Sequence, residues 1–263
     1  MPLHPIASLD DPRVAPYRNL KDKQLERQGK LFIAEGEHLV RRLLASDFEV
    51  VSVLLAQRRV DEIAPTVPPH VPVYALAQDR MDEIIGFQFH SGVMACGRRK
   101  ARLTLDDVVP KDRPRLTLVI CPEIANVENI GSLIRLSAGF GADAMILGER
   151  CHDPFWRQSI RVSMGTIFAL PILHTDNLTR DLHRLRREWG VELWATVLDE
   201  SAEPLATATR AAKVGLLFGN EAQGLGPEWV AACDRRVTIA MHHGTDSLNV
   251  AVAAGIFLYH FTR

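Results

Sequence analysis

LTLVICPEIANVENIGSLIRLSAGF, running from Leu116 to Phe140, decides the fold class. Its first six residues form a near-continuous apolar run between Pro114 and Pro122. A strand without polar alternation is covered on both faces, which is the condition of a parallel sheet. Glu123 to Glu128 reads as a polar loop. Asn129 to Phe140 reads as a helix, with Asn129 as a suitable N-cap. Gly131 in the first turn costs roughly 1 kcal/mol of helix propensity, so something should need its missing Cβ. Arg135 stands among Leu133, Ile134 and Leu136, where an arginine needs a partner.

The same alternation continues towards the C-terminus. Extended runs are predicted at 143–147, 169–173, 191–197, 214–218 and 236–240, with an amphipathic helix at 178–188 and another beginning at Pro227. Val250 to Tyr259 is an almost wholly apolar run. A helix apolar on every side is buried in the interior or in an interface. The polar residues before it, including Asp246 and Ser247, are then N-caps or parts of a site at a helix start. Repeated βα units predict a parallel sheet with covering helices, and a ligand site beyond the strand C-termini.

The first hundred residues also alternate. Val14 to Gly29 reads as a polar helix, Leu31 to Ala34 as a strand, and His38 to Ala45 as a helix. Strands follow at 48–55, 71–75 and 93–96, with a helix at 78–85. The domains are therefore expected at 1–100 and 115–263, with 101–114 as the linker. Phe87-Gln-Phe-His90 is either a core edge or a surface for stacking bases.

Of 263 residues, 47% are hydrophobic and 24% charged, and the net charge is −1. Those values fit an ordinary globular protein and give no overall nucleic-acid signal. Three basic clusters are the exception: Arg18, Lys21, Lys23, Arg27 and Lys30; Arg98, Arg99, Lys100 and Arg102; and Arg180, Arg184, Arg186 and Arg187. They favour phosphate contact modestly. Cys96, Cys121, Cys151 and Cys233 form no CxxC pair, so neither a zinc site nor a redox pair is expected. The opening residues lack the pattern of a signal peptide. The longest apolar run falls short of the roughly 20 residues that span a bilayer. A cytoplasmic protein with neither membrane nor metal partners is expected.

Three strand ends carry unusual residues: Asn129 and Arg135 after the first, Gly219-Asn-Glu221 after the strand ending at Phe218, and Ser247-Leu-Asn249 after the last. No GxGxxG follows a strand and no GxxxxGK[ST] is present, which disfavours a dehydrogenase or an NTP-binding enzyme. His242 and His243 are adjacent and would not point alike, so they are poor metal ligands.

Asn129-x-Gly131-x-x-x-Arg135, Phe218-Gly-Asn-Glu221-x-x-Gly224 and Ser247-Leu-Asn-Val250 resemble, in order and spacing, the three motifs of the SpoU (TrmH-like) RNA 2′-O-ribose methyltransferases of the SPOUT superfamily. The resemblance covers about 115–263 and includes Arg161-Val-Ser-Met-Gly165. Phe32-Ile-Ala-Glu-Gly36 is similar to the ribosomal-protein-like substrate-binding domain of many members. Ile239-Ala240-Met241 departs from the family's usual Ile-Pro-Met. The implied fold is a trefoil-knotted parallel-sheet domain with a smaller N-terminal α/β domain.

The implied reaction moves a methyl group from S-adenosylmethionine to a ribose 2′-oxygen of structured RNA, ribosomal RNA before tRNA, in a homodimer. The resemblance assigns catalysis to Asn129, Arg135, Glu221, Ser247 and Asn249. It assigns cofactor binding to Thr196, Gly219, Ile239, Met241 and Leu248. The alternatives are a non-catalytic RNA-binding protein that keeps the fold, or the same reaction on tRNA.

Overall fold

The computed structural model describes residues 3–6, 8, 10–18, 30–101, 103–220, 222–243, 245 and 247–261. The chain forms two compact units. One is Met1–Ala101 together with Phe155–Phe168, and the other is Arg102–Pro154 together with Ala169–Arg263.

The first unit is built on five strands: β1 (Leu3–Pro5), β2 (Leu31–Glu35), β3 (Val50–Ala56), β4 (Val73–Leu76) and β5 (Val93–Arg98). Their order is β1-β4-β3-β5-β2. β5 runs antiparallel to both of its neighbours, while β1, β4 and β3 are parallel. Helices α1 (Glu37–Leu44) and α2 (Gln78–Ile85) bury their apolar residues, Leu39, Val40 and Leu43 in one and Met81, Ile84 and Ile85 in the other. The buried Tyr17 hydroxyl donates to the Ser52 carbonyl at 3.0 Å and accepts the Cys96 N–H at 3.1 Å. A polar group so placed must be satisfied internally.

Phe32 shows why a distant segment joins this unit. Its ring lies 5.2 Å from Phe155, 5.6 Å from Phe168 and 5.7 Å from Phe48. A Cβ on Gly97 would stand 2.3 Å from that ring, so β5 leaves the aromatic cluster its room. Arg157 adds an ion pair with Glu35 at 2.8 Å. The expected domain edge at residue 100 is thus incomplete, because residues 155–168 belong to the same core.

The second unit carries β6 (Leu116–Cys121), β7 (Ala144–Leu147), β8 (Ile172–His174), β9 (Glu192–Thr196), β10 (Glu203–Pro204), β11 (Lys213–Leu217) and β12 (Arg235–Thr238). Their order is β10-β12-β9-β11-β6-β7-β8, and every pairing is parallel. β6 lies between β11 and β7, and all its residues but Thr117 are buried, as its unbroken apolar run requires. The second unit's longer helices are α3 (Val127–Gly139), α4 (Leu178–Arg184), α5 (Pro227–Ala231) and α6 (Val250–Phe261). α6 packs along α3: a Cβ on Gly255 would lie 3.5 Å from Leu136. No helix among the described residues is long and apolar enough to cross a membrane.

Several expectations need correction. Residues 101–114 are not an open linker, because Leu105–Val108 forms a helical turn whose Leu105 and Val108, with Val109, are buried in the second unit's core. α3 begins before Asn129, at Val127, with the Asn126 side chain accepting the Glu128 N–H. The described start of the predicted 14–29 helix is a 3-10 segment, Pro12–Tyr17, held open by Pro16. Residues 19–29, with Lys21, Lys23 and Arg27, lie outside the described residues, as does Arg102. α6 is not covered on every side, since Val252 (52%), Ile256 (39%) and Tyr259 (49%) are exposed. The third basic cluster is largely spent on acids: Arg180 holds Asp181, Arg184 holds Asp106 and Glu188, and Arg186 holds Asp234. Phe89 is a buried core residue with Phe87 edge-on against it.

Candidate functional site

Parallel strands deliver their C-terminal ends to one edge of the sheet, and there four loops meet. They follow β6, β9, β11 and β12, and they surround a cavity of about 760 Å³ in the second unit. Among the described residues that line it, none carries a formal charge. The lining is amide, hydroxyl and apolar, which suits a ligand held by shape and hydrogen bonds rather than by ion pairing.

Two distant segments are joined here. The Asn249 Nδ2 donates to the Asn129 Oδ1 at 3.0 Å across 120 residues of sequence. The same Asn249 caps α6, its Oδ1 accepting the Ala251 N–H at 2.8 Å. The cap expected at Asp246 or Ser247 is therefore Asn249, because α6 begins at Val250. Asp246 lies outside the described residues. Asn129 is 8% exposed within the first turns of α3.

The loop after β11 is shaped by its glycines. Asn220 and Gly224 exchange both backbone hydrogen bonds, at 2.9 and 2.8 Å, closing a tight turn. Gly224 has φ +68°, and a Cβ on Gly219 would sit 2.1 Å from the Gly224 carbonyl carbon. Gly219 is therefore required by the loop's own closure, besides the cofactor binding that the resemblance assigned to it. At the end of β9, Thr196 Oγ1 donates to the Leu217 carbonyl at 2.8 Å and ties two loop origins together.

Of the residues singled out from sequence, Asn129, Thr196, Gly219, Ile239, Met241, Ser247, Leu248 and Asn249 all line this one cavity. Glu221 lies outside the described residues. Arg135 is not in the lining. It is exposed on α3, and it makes no hydrogen bond or ion pair with any described residue. Its neighbours Leu133 and Ile134 are buried, whereas Arg135 faces outward. Sequence reasoning missed Leu198, an exposed leucine (61%) at the cavity wall. Its only signal was its place two residues after Thr196, at a strand C-terminus. Ala240, where a proline was expected, follows β12 between two lining residues.

The chain is similar to RNA methyltransferases over nearly its whole length. An uncharacterized tRNA/rRNA methyltransferase of Mycobacterium bovis is 34% identical over 266 residues, covering 98% of this chain and 91% of that protein. The 23S rRNA guanosine 2′-O-methyltransferase RlmP of Bacillus subtilis is 27% identical over 256 residues, covering 97% and 98%. The AdoMet-bound rRNA methyltransferase structure from Sinorhizobium meliloti superposes with a TM-score of 0.83 at 27% identity, covering 98% of this chain and 97% of that one. Residues 116–259 match the model of the SpoU rRNA Methylase family, and the chain belongs to that family.

Proposed function

We propose that this protein transfers the methyl group of S-adenosylmethionine to a ribose 2′-hydroxyl of structured RNA, ribosomal RNA rather than tRNA, as a homodimer in the cytoplasm. The observation that carries this reading is the Asn249–Asn129 hydrogen bond, which joins two motifs at one cavity whose described lining carries no formal charge. The cavity fits the cofactor. A purine nucleoside needs apolar faces and neutral donors and acceptors, and Ile239, Met241 and Leu248 with Asn129, Ser247 and Asn249 offer both. When bound, S-adenosylmethionine supplies an electrophilic methyl carbon and a neutral thioether leaving group.

The chain's own residues orient and polarise. Thr196, Gly219, Ile239, Met241 and Leu248 hold the cofactor. The paired Asn129 and Asn249, with Ser247, orient the ribose. Arg135 contacts the RNA backbone rather than the cofactor. Its role is to clamp the phosphate beside the target ribose and favour loss of the 2′-hydroxyl proton to water as the oxygen bonds the methyl carbon, for which a bidentate guanidinium is suited. Glu221 holds Arg135 or the Asn129 loop.

A dimer is supported by the row Val252, Ile256 and Tyr259, apolar and exposed on α6 beside α3. Such a row calls for cover. Cover by a second copy would also take Arg135 on α3 to the partner's cavity, so that each site draws on both chains. The first unit, with its exposed arginines, is read as the ribosomal-protein-like RNA-binding module. The second is read as the trefoil knot of the SPOUT superfamily.

The test incubates the protein with methyl-labelled S-adenosylmethionine and fractionated cellular RNA. Label should enter ribosomal RNA at a single 2′-oxygen, and Arg135→Ala should abolish it while cofactor binding persists. Absence of label in every RNA fraction would overturn the reading.

A further inference from the structure

We propose that the turn Arg161–Gly165, in the first unit, is an RNA-contact element in which Arg161 grips a backbone phosphate and Met164 packs on a base. This inference rests on the RNA reading above and adds a contact that the cavity does not contain.

The arginines around this turn are committed to partners within the unit. Arg157 pairs with Glu35, Arg59 with Glu37 and Glu62, and Arg41 with Glu37. Arg42 donates to the Met164 carbonyl at 2.6 Å. Arg161 differs from all of them. It is exposed, and its guanidinium makes no hydrogen bond or ion pair with any described residue.

Met164 differs too. Its φ is +53°, and Gly165 follows at +77°. Left-handed backbone is open to glycine and disfavours a side chain, so glycine at 164 would end the preceding helix with less strain. The methionine instead holds its side chain 38% exposed, among the few large apolar residues at the surface. Strain kept at an exposed, polarisable side chain points to work done outside the fold.

The turn is also packed against its own unit. Gly165 lies against α1, where a Cβ would come within 3.1 Å of Leu39 and Arg42. Ser163 is buried, with its hydroxyl donating to the Ile160 carbonyl at 2.9 Å. The Met164 N–H donates to the Arg161 carbonyl at 3.0 Å, so the two exposed residues are held next to each other. A fork-shaped cation next to a thioether matches a nucleotide, with its anionic phosphate and its flat base.

The experiment measures binding to protein-free 23S ribosomal RNA across a salt series, methyl transfer to that RNA, and S-adenosylmethionine affinity by calorimetry. Arg161→Ala should weaken RNA binding about 5- to 10-fold and flatten the slope of log affinity against log salt by about 0.7. Arg161→Lys should keep the slope and part of the affinity, because a point charge replaces the fork. Met164→Gly should melt no lower than the parent, yet bind RNA about threefold more weakly at an unchanged slope. All three should bind the cofactor as the parent does.

If Arg161→Ala and Met164→Gly bind and methylate the RNA as the parent does, the contact is refuted and the proposed function stands. A parent that neither binds nor methylates any RNA refutes both. Should Arg161→Ala fail to fold, Arg161→Lys and Met164→Gly decide the matter.

Discussion

Asn249 does two jobs with one amide, and they can be separated. Its oxygen caps α6 and its nitrogen reaches Asn129. Asn249→Asp keeps an acceptor for the Ala251 N–H but removes the donor. Melting should stay close to the parent's, while methyl transfer falls by at least about tenfold, read as kcat at saturating cofactor. Asn249→Ala should lose both, with about 1 kcal/mol of stability gone in urea titrations. Gly219→Ala meets backbone that cannot swing away. It should cost about 1–3 kcal/mol and weaken cofactor affinity together, seen by melting and calorimetry.

At this scale the sequence offered Asn129 as the cap of α3, whereas the cap is Asn126 and Asn129 lines the cavity. Asn126 and Asn129 are both competent caps by type, and only the position of Val127 in the first turn decides between them. Gly219 shows the same limit. A glycine at a strand end reveals that a close approach is needed, but not that Gly224 makes it.

Among elements, the apolar strands were the most legible, because a run such as β6 or β11 has no polar face to mislead. The stretch 101–114 was the least legible. Its two buried side chains on a single helical turn are too few to show a period, so it passed for a linker. Asp106, on that same turn, accepts from Lys111 and Arg184, and these hold its carboxyl down at about 2, against an ordinary 3.8. The pairing therefore favours the folded state above about pH 4 and fades as pH falls towards 2. Asp106→Asn should lower the melting temperature at pH 5 and converge with the parent near pH 2, in a calorimetric series over that range. Burial pushes the Cys96 and Cys233 thiols up to about 12. Iodoacetamide at pH 7.5 should leave both unmodified in the folded protein and label them in guanidinium, by mass spectrometry.

For the molecule as a whole, the parallel second sheet followed from βα alternation, but its strand order did not, since periodicity says nothing about which strands become neighbours. The uniform apolarity of α6 suggested burial inside the chain or against another one. One face is buried inside the chain, and Ile256 stands exposed on the face that the proposed dimer would cover. Ile256→Glu should convert a sedimenting dimer to monomer at micromolar concentration, with cofactor binding retained and methyl transfer lost. A parent that sediments as a monomer would remove the two-chain site.

The aromatic cluster around Phe32 has a consequence for biosynthesis. Phe155 and Phe168 leave the ribosome long after Phe32 and Phe48. A nascent chain paused near residue 120 holds an unfinished core with its aromatic rings open to water. Truncations ending at residue 101 should accordingly aggregate or recruit chaperones, and a recombinant fragment of this half would need residues 155–168 grafted back to be well behaved.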